Sequence, residues 1–200
     1  MKLVNYDKFY NYLLEKFNAR ISKINRNYEV QLKYMLSNYI LKKDENVPER
    51  VKIIYKYLEE KGYLKSPILT YCTRTLIIKD VAVLVKPPIV NLGKCYIIDI
   101  KLYHLNKQRK MFYKYIWTLY QMAFPFFKVI VIYSIAPNSI SEQQFGLIKK
   151  QRMLELIGYI DEYVKERENE LQELNVNLLR PPVFVYNENG VIIKRDLWKL

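Results

Sequence analysis

The stretch that decides the fold is residues 79–101, KDVAVLVKPPIVNLGKCYIIDIK. Val, Ile and Leu dominate both of its halves, and Pro87, Pro88 and Gly93 punctuate its middle. This pattern predicts two strands joined by a turn over residues 87–93. Side chains on a strand alternate with period two, so Asp99 and Lys101 share one face. With pairing about the centre of the turn, Asp80 on the first strand lies across from Ile100, next to Asp99. Two carboxylates and an ammonium then converge on one hairpin. Both strands are otherwise apolar, as in a sheet covered on both faces. Charges in such a place are paired or hold a metal.

Working outward, residues 106–123 show helical spacing of Gln108, Phe112, Tyr115, Ile116, Leu119 and Met122. Residues 127–135 (FKVIVIYSI) read as a buried strand. Upstream, residues 48–62 read as a helix with Pro48 at its start and Gly62 at its end. Residues 4–43 predict two further helices, the second with an apolar stripe of Tyr28, Leu32, Met35, Leu36 and Ile40. Residues 141–175 predict one long helix or two, and the C-terminal tail a hairpin turning at 187–190. The expected division is a helical extension over 1–45, an α/β core over 46–140, and a helix with a hairpin over 141–200.

The order acid, turn, Asp-x-Lys strand, helix, strand resembles the PD-(D/E)xK nuclease superfamily over about residues 48–135. The resemblance implies an α/β, restriction-endonuclease-like core and hydrolysis of phosphodiester bonds, in DNA rather than RNA. It implies Asp80 and Asp99 as ligands of Mg²⁺, with Mn²⁺ as a substitute, and the carbonyl of Ile100 as a third ligand. Mg²⁺ favours such oxygen ligands and lowers the pKa of a bound water. Lys101 would then orient the water or stabilise charge in the transition state. Many members carry a glutamate on the opening helix, where Glu59 or Glu60 stands here. RecB-like members add a glutamine on the helix after the Asp-x-Lys strand, matching Gln108. Two departures stand out: Lys79 replaces the usual proline, and Phe112 replaces the tyrosine expected four residues after the glutamine. On this hairpin reading Asp99→Ala relieves carboxylate repulsion and can stabilise the fold. The plain structural alternative is a cross-strand ion pair of Asp80 with Lys101.

The charge is +13, with 33 Lys and Arg against 20 Asp and Glu. Residues 100–141 contain no acid at all, yet hold Lys101, Lys107, Arg109, Lys110, Lys114 and Lys128. Lys107, Arg109, Lys110 and Lys114 are therefore the expected nucleic-acid-binding face. Residues 155–173 are acidic, and that helix is expected to pack on the core or against a second copy in a homodimer. The alternative function is a basic, non-catalytic DNA- or RNA-binding protein, on a degenerate nuclease fold. With 2 Cys and 1 His, the chain lacks the means for a common Cys/His zinc site. Cys72 and Cys95 lie in strand-like segments and are expected to be buried thiols. No apolar run reaches membrane-spanning length, and no secretory leader is recognisable, so an intracellular location and no membrane partner are expected.

Overall fold

The structure, a computed structural model, describes residues 1–42, 46–136, 138–173 and 184–193. Its strands are β1 (Lys2–Val4), β2 (Ile68–Thr70), β3 (Arg74–Ile78), β4 (Val81–Val85), β5 (Ile89–Asn91), β6 (Tyr96–Lys101), β7 (Lys128–Ala136), β8 (Ser139–Phe145), β9 (Gln172–Glu173), β10 (Phe184–Tyr186) and β11 (Ile192–Ile193). Its α-helices are α1 (Tyr6–Lys16), α2 (Lys23–Lys42), α3 (Glu49–Glu60), α4 (Lys107–Ala123) and α5 (Lys150–Glu166). The class is mixed α/β, with two mixed sheets. One runs β11-β10-β3-β4-β1-β9 and the other β2-β5-β6-β7-β8.

The apolar run that opened the sequence reading does not fold as one hairpin. It contributes to both sheets. Its first half is β4, which turns back on β3 through Lys79 and Asp80. Lys79 takes a left-handed φ of 55° there, and its ammonium pairs with Asp161 on α5 at 2.6 Å. Asp80 is therefore an exposed turn residue of the first sheet, not a strand residue beside β6. Its second half, β5 and β6, pairs antiparallel with Ile89 opposite Ile98 and Asn91 opposite Tyr96. The turn sits at residues 92–95, where the Asn91 side chain accepts from the Lys94 amide at 2.8 Å. The turn is thus shifted toward the C-terminus of the expected position. Continuing the register past Ile89 brings Pro88, not an acid, alongside Asp99.

The β6–α4–β7 unit forms as expected. β6 and β7 are parallel, with Asp99 opposite Val131 and Lys101 opposite Tyr133. Asn106 caps α4 by accepting from the Arg109 amide at 2.9 Å. α4 touches β3 and β4 of one sheet and β7 of the other. A helix between two sheets must be apolar nearly all round. Phe112, Leu119 and Met122 accordingly have no exposed surface, and Tyr113, Ile116 and Trp117 are also buried. Each large aliphatic side chain buried this way contributes about 1.5–3 kcal/mol.

The flanking segments pack on this core. β1 pairs with β4 and with β9, which ties the first residues to the end of the α5 region. α5 packs on α1 and α4. Residues 139–145 form strand β8 instead of beginning a helix. They pair antiparallel with β7. Ile140, Glu142 and Phe145 are its half-buried positions, and Glu142 accepts from the hydroxyls of Tyr57 and Tyr63. The expected tail hairpin forms, with the Asn187 side chain accepting from the amides of Asn189 and Val191. Its flanks at 181–183 and 194–200 lie outside the described residues. Cys95 is exposed in the turn before β6 and Cys72 is half-buried, so neither is the buried strand thiol expected. No described helix is long and apolar enough to cross a membrane.

Candidate functional site

Asp99 and Lys101 do point to one face of β6, as their spacing requires. What meets them comes from α2. Glu29, Leu32, Lys33, Leu36 and Ser37 form its buried stripe, so two charges enter the core on the same face as two leucines. The Lys33 ammonium donates to Glu29 Oε1 at 2.8 Å and to Asp99 Oδ1 at 2.7 Å. The Lys101 ammonium donates to Glu29 Oε1 at 2.8 Å and lies 3.1 Å from Asp99 Oδ2. The four side chains form a closed ring of alternating charge. Asp99 is 1% exposed and Lys101 2%.

Further donors meet the two carboxylates. Asp99 Oδ2 accepts from the Trp117 indole N–H at 2.8 Å, and Oδ1 from the Ile100 amide at 2.9 Å. Glu29 Oε2 accepts from the Leu102 amide at 3.3 Å. The Lys101 ammonium lies 3.7 Å from the centre of the Tyr113 ring, a cation–π contact in a desolvated setting. Among the described residues no buried side-chain nitrogen or oxygen lacks a partner.

The electrostatics follow from this geometry. Burial opposes ionisation of Asp99, but Lys101 and Lys33, with hydrogen bonds from Lys33 and Trp117, outweigh it and hold the carboxyl well below its usual range. Burial likewise opposes the charge on Lys101 and Lys33, and the facing Asp99 and Glu29 carboxylates reverse this and raise both ammoniums. Burial pushes the Tyr113 and Tyr120 hydroxyls far above their usual range, so they stay protonated.

Three members of the ring, Glu29, Lys33 and Lys101, line a cavity of about 250 Å³, and Asp99 lies buried behind them. Tyr6, Tyr10, Tyr71, Tyr113 and Tyr120 contribute to its walls, and Arg26 and Lys86 to its rim. The Arg26 guanidinium stacks over Tyr10 at 4.4 Å. The Tyr10 and Tyr113 hydroxyls are hydrogen-bonded at 3.1 Å.

The other expected site residues lie elsewhere. Asp80 is not brought to this cavity. Ile100 is fully buried, and its amide, not its carbonyl, is the group seen to engage Asp99. Glu59 is exposed on α3 and accepts from Tyr55, while Glu60 pairs with Lys56. Gln108 is exposed in the first turn of α4, because the buried face begins at Phe112. Lys107 and Lys110 are exposed as expected. Arg109 is a clasp instead: it donates to the carbonyls of Arg20 and His104. Lys114 lines a cleft between α4 and α5 together with Met111, Tyr115, Lys149, Arg152 and Glu155. Glu29 and Lys33 were missed by the sequence reading. Their signal was a Glu and a Lys four apart, interleaved with leucines on the helical stripe.

These donors do not fit a Mg²⁺ centre of the expected kind. Two carboxylates are present, and both already hold ammonium ions at hydrogen-bond distance. Among the described residues no group of three or more His, Cys, Asp or Glu side chains is placed to hold a metal.

No family model matches the chain. No curated protein matches it either. Among solved structures, the crystal structure of SSO0001 is similar at a TM-score of 0.38 and 14% identity, over 80% of this chain and 86% of that one. A likeness at this level carries no argument about function.

Proposed function

We propose that this chain is a non-catalytic nucleic-acid-binding protein on a restriction-endonuclease-like core whose Asp-x-Lys strand has been turned to structural use. The antiparallel β5–β6 pair, the α4 crossover and the parallel β7 support the core assignment. The observation that carries the binding reading is the state of the cations around α4 and α5. Lys107, Lys110, Lys114, Lys149 and Arg152 form no ion pair with any described residue, a state shared by scattered lysines such as Lys8, Lys52 and Lys86, but here five such cations gather on two neighbouring elements. The nearby Glu155 is engaged by Tyr115 and Gln151. Unpaired cations gathered along one helix and the start of the next suit a phosphate backbone.

A second reading, Mg²⁺-dependent phosphodiester cleavage, is favoured by one observation: Glu29 and Lys101 line an open cavity, and Lys101 also meets Asp99. The poor fit of those donors to a metal places it second. One experiment separates the two. Fluorescence anisotropy with single- and double-stranded DNA and RNA is recorded against salt, for the wild type and for Lys110→Ala/Lys114→Ala/Arg152→Ala. The binding reading expects weaker affinity and a salt slope flattened by roughly 0.7–0.9 per lost phosphate contact. Unchanged affinity and slope would remove this face. Cleavage in Mg²⁺ or Mn²⁺ that disappears in Asp99→Asn would bring the second reading forward.

A further inference from the structure

We propose that the Lys33 ammonium is a built-in substitute for a divalent cation, and that neutralising it turns Glu29 and Asp99 into a metal site. The reasoning is geometric. A single nitrogen bridges one carboxylate oxygen from α2 and one from β6, at 2.8 and 2.7 Å. That is the place a cation shared by two carboxylates would take. Lys33 is supplied by the same helix as Glu29, four residues on, so its removal need not move Glu29. It would leave two carboxylates facing only Lys101, a buried excess of negative charge that attracts a cation.

Access and size also fit. Glu29, Lys33 and Lys101 all line the cavity, which leaves a path for an ion and space for waters to complete its shell. Cation–oxygen distances are about 2.0–2.1 Å for Mg²⁺ and 2.3–2.6 Å for Ca²⁺. Carboxylates spaced for an ammonium need to close less around the larger ion. The opened site should therefore favour Ca²⁺ over Mg²⁺. In the native chain the ring is neutral and closed, so this site works without a divalent ion. This inference does not depend on nucleic-acid binding, and either can fail alone.

The test is a Mn²⁺ titration of the full chain, followed by electron paramagnetic resonance. Wild type should leave the free Mn²⁺ signal unaltered by any site that Asp99→Asn abolishes. Lys33→Met should bind one Mn²⁺ per chain, displaced by Ca²⁺ more readily than by Mg²⁺ and lost in Lys33→Met/Asp99→Asn. If Lys33→Met is unfolded alone, Mn²⁺ should restore its helical circular dichroism, because a ligand of the folded state drives folding. Saturable binding by wild type that needs Asp99 would overturn the proposal. So would Lys33→Met and Lys33→Ala chains that bind no Mn²⁺ when folded, or that stay unfolded at every Mn²⁺ concentration.

Discussion

Replacing Asp99 by Asn changes one charge and almost no volume, which makes it the sharpest probe of the buried ring. Asp99 Oδ1 accepts from Lys33 and the Ile100 amide, and Oδ2 faces the Trp117 N–H and Lys101. An asparagine oxygen can keep the first pair. Its amide N–H groups then point at two other donors, Trp117 and Lys101. The ring would hold two ammoniums against the single carboxylate of Glu29, with every member at least nine-tenths buried. Breaking a buried pair in this way costs about 3–5 kcal/mol. In a chain of this size that lowers the melting temperature by about 6–20 °C, at about 2–4 °C per kcal/mol. The sign is opposite to that expected when two carboxylates repel across a hairpin.

The assay is thermal and urea unfolding by circular dichroism, for Asp99→Asn, Lys33→Met and the double variant. The double variant leaves Glu29 and Lys101 as a neutral pair, so it should be more stable than the sum of the single losses allows. A coupling of about 0.5–3 kcal/mol is expected for side chains in one network. A loss below about 1 kcal/mol for Asp99→Asn, or strictly additive single variants, would refute the reasoning that the ring acts as a unit.

Three further outcomes are expected. Asp99 is depressed in the fold, so its stabilisation is complete above the usual carboxyl pKa of about 3.9 and is lost as pH falls through its folded value. Acid unfolding should begin at higher pH in Asp99→Asn than in wild type, because the variant starts with less stability. Lys33 and Lys101 are raised, so their contribution is complete below about pH 10.4 and is lost as pH rises through their folded values; denaturant midpoints measured up to strongly alkaline pH should fall only beyond that point. Asp80→Ala alters an exposed turn and should shift stability by no more than about 0.5 kcal/mol, with nucleic-acid affinity unchanged; a large loss would place Asp80 in a network that the turn geometry does not provide.

Much of the fold was legible because periodicity reports burial. The Asp-x-Lys strand and β7 are short continuous apolar runs, and α4 and the opening helix carry helical spacing. The errors arose where that signal is silent. The strand segments within residues 74–101 are all rich in Val, Ile and Leu, so nothing in their composition says where one sheet ends and the next begins. The Lys79–Asp80 turn is marked by neither Gly nor Pro, and the left-handed Lys79 supplies what a glycine usually would. Placing the turn at Pro87 and Pro88 then assigned Asp80 a strand it does not occupy. The same limit hid half the site. Helical periodicity sorts residues by polarity, so Glu29 and Lys33 went unremarked while Tyr28, which is 46% exposed, was placed on the apolar stripe. Yet a charge deep on an apolar strand must find its counter-charges somewhere. Asp99 and Lys101 together are neutral, but two ions confined to one strand cannot fill each other's hydrogen-bonding valences. Their burial therefore demanded another element carrying both signs at helical spacing, and an i,i+4 Glu–Lys pair flanking leucine is what such a demand looks like in sequence.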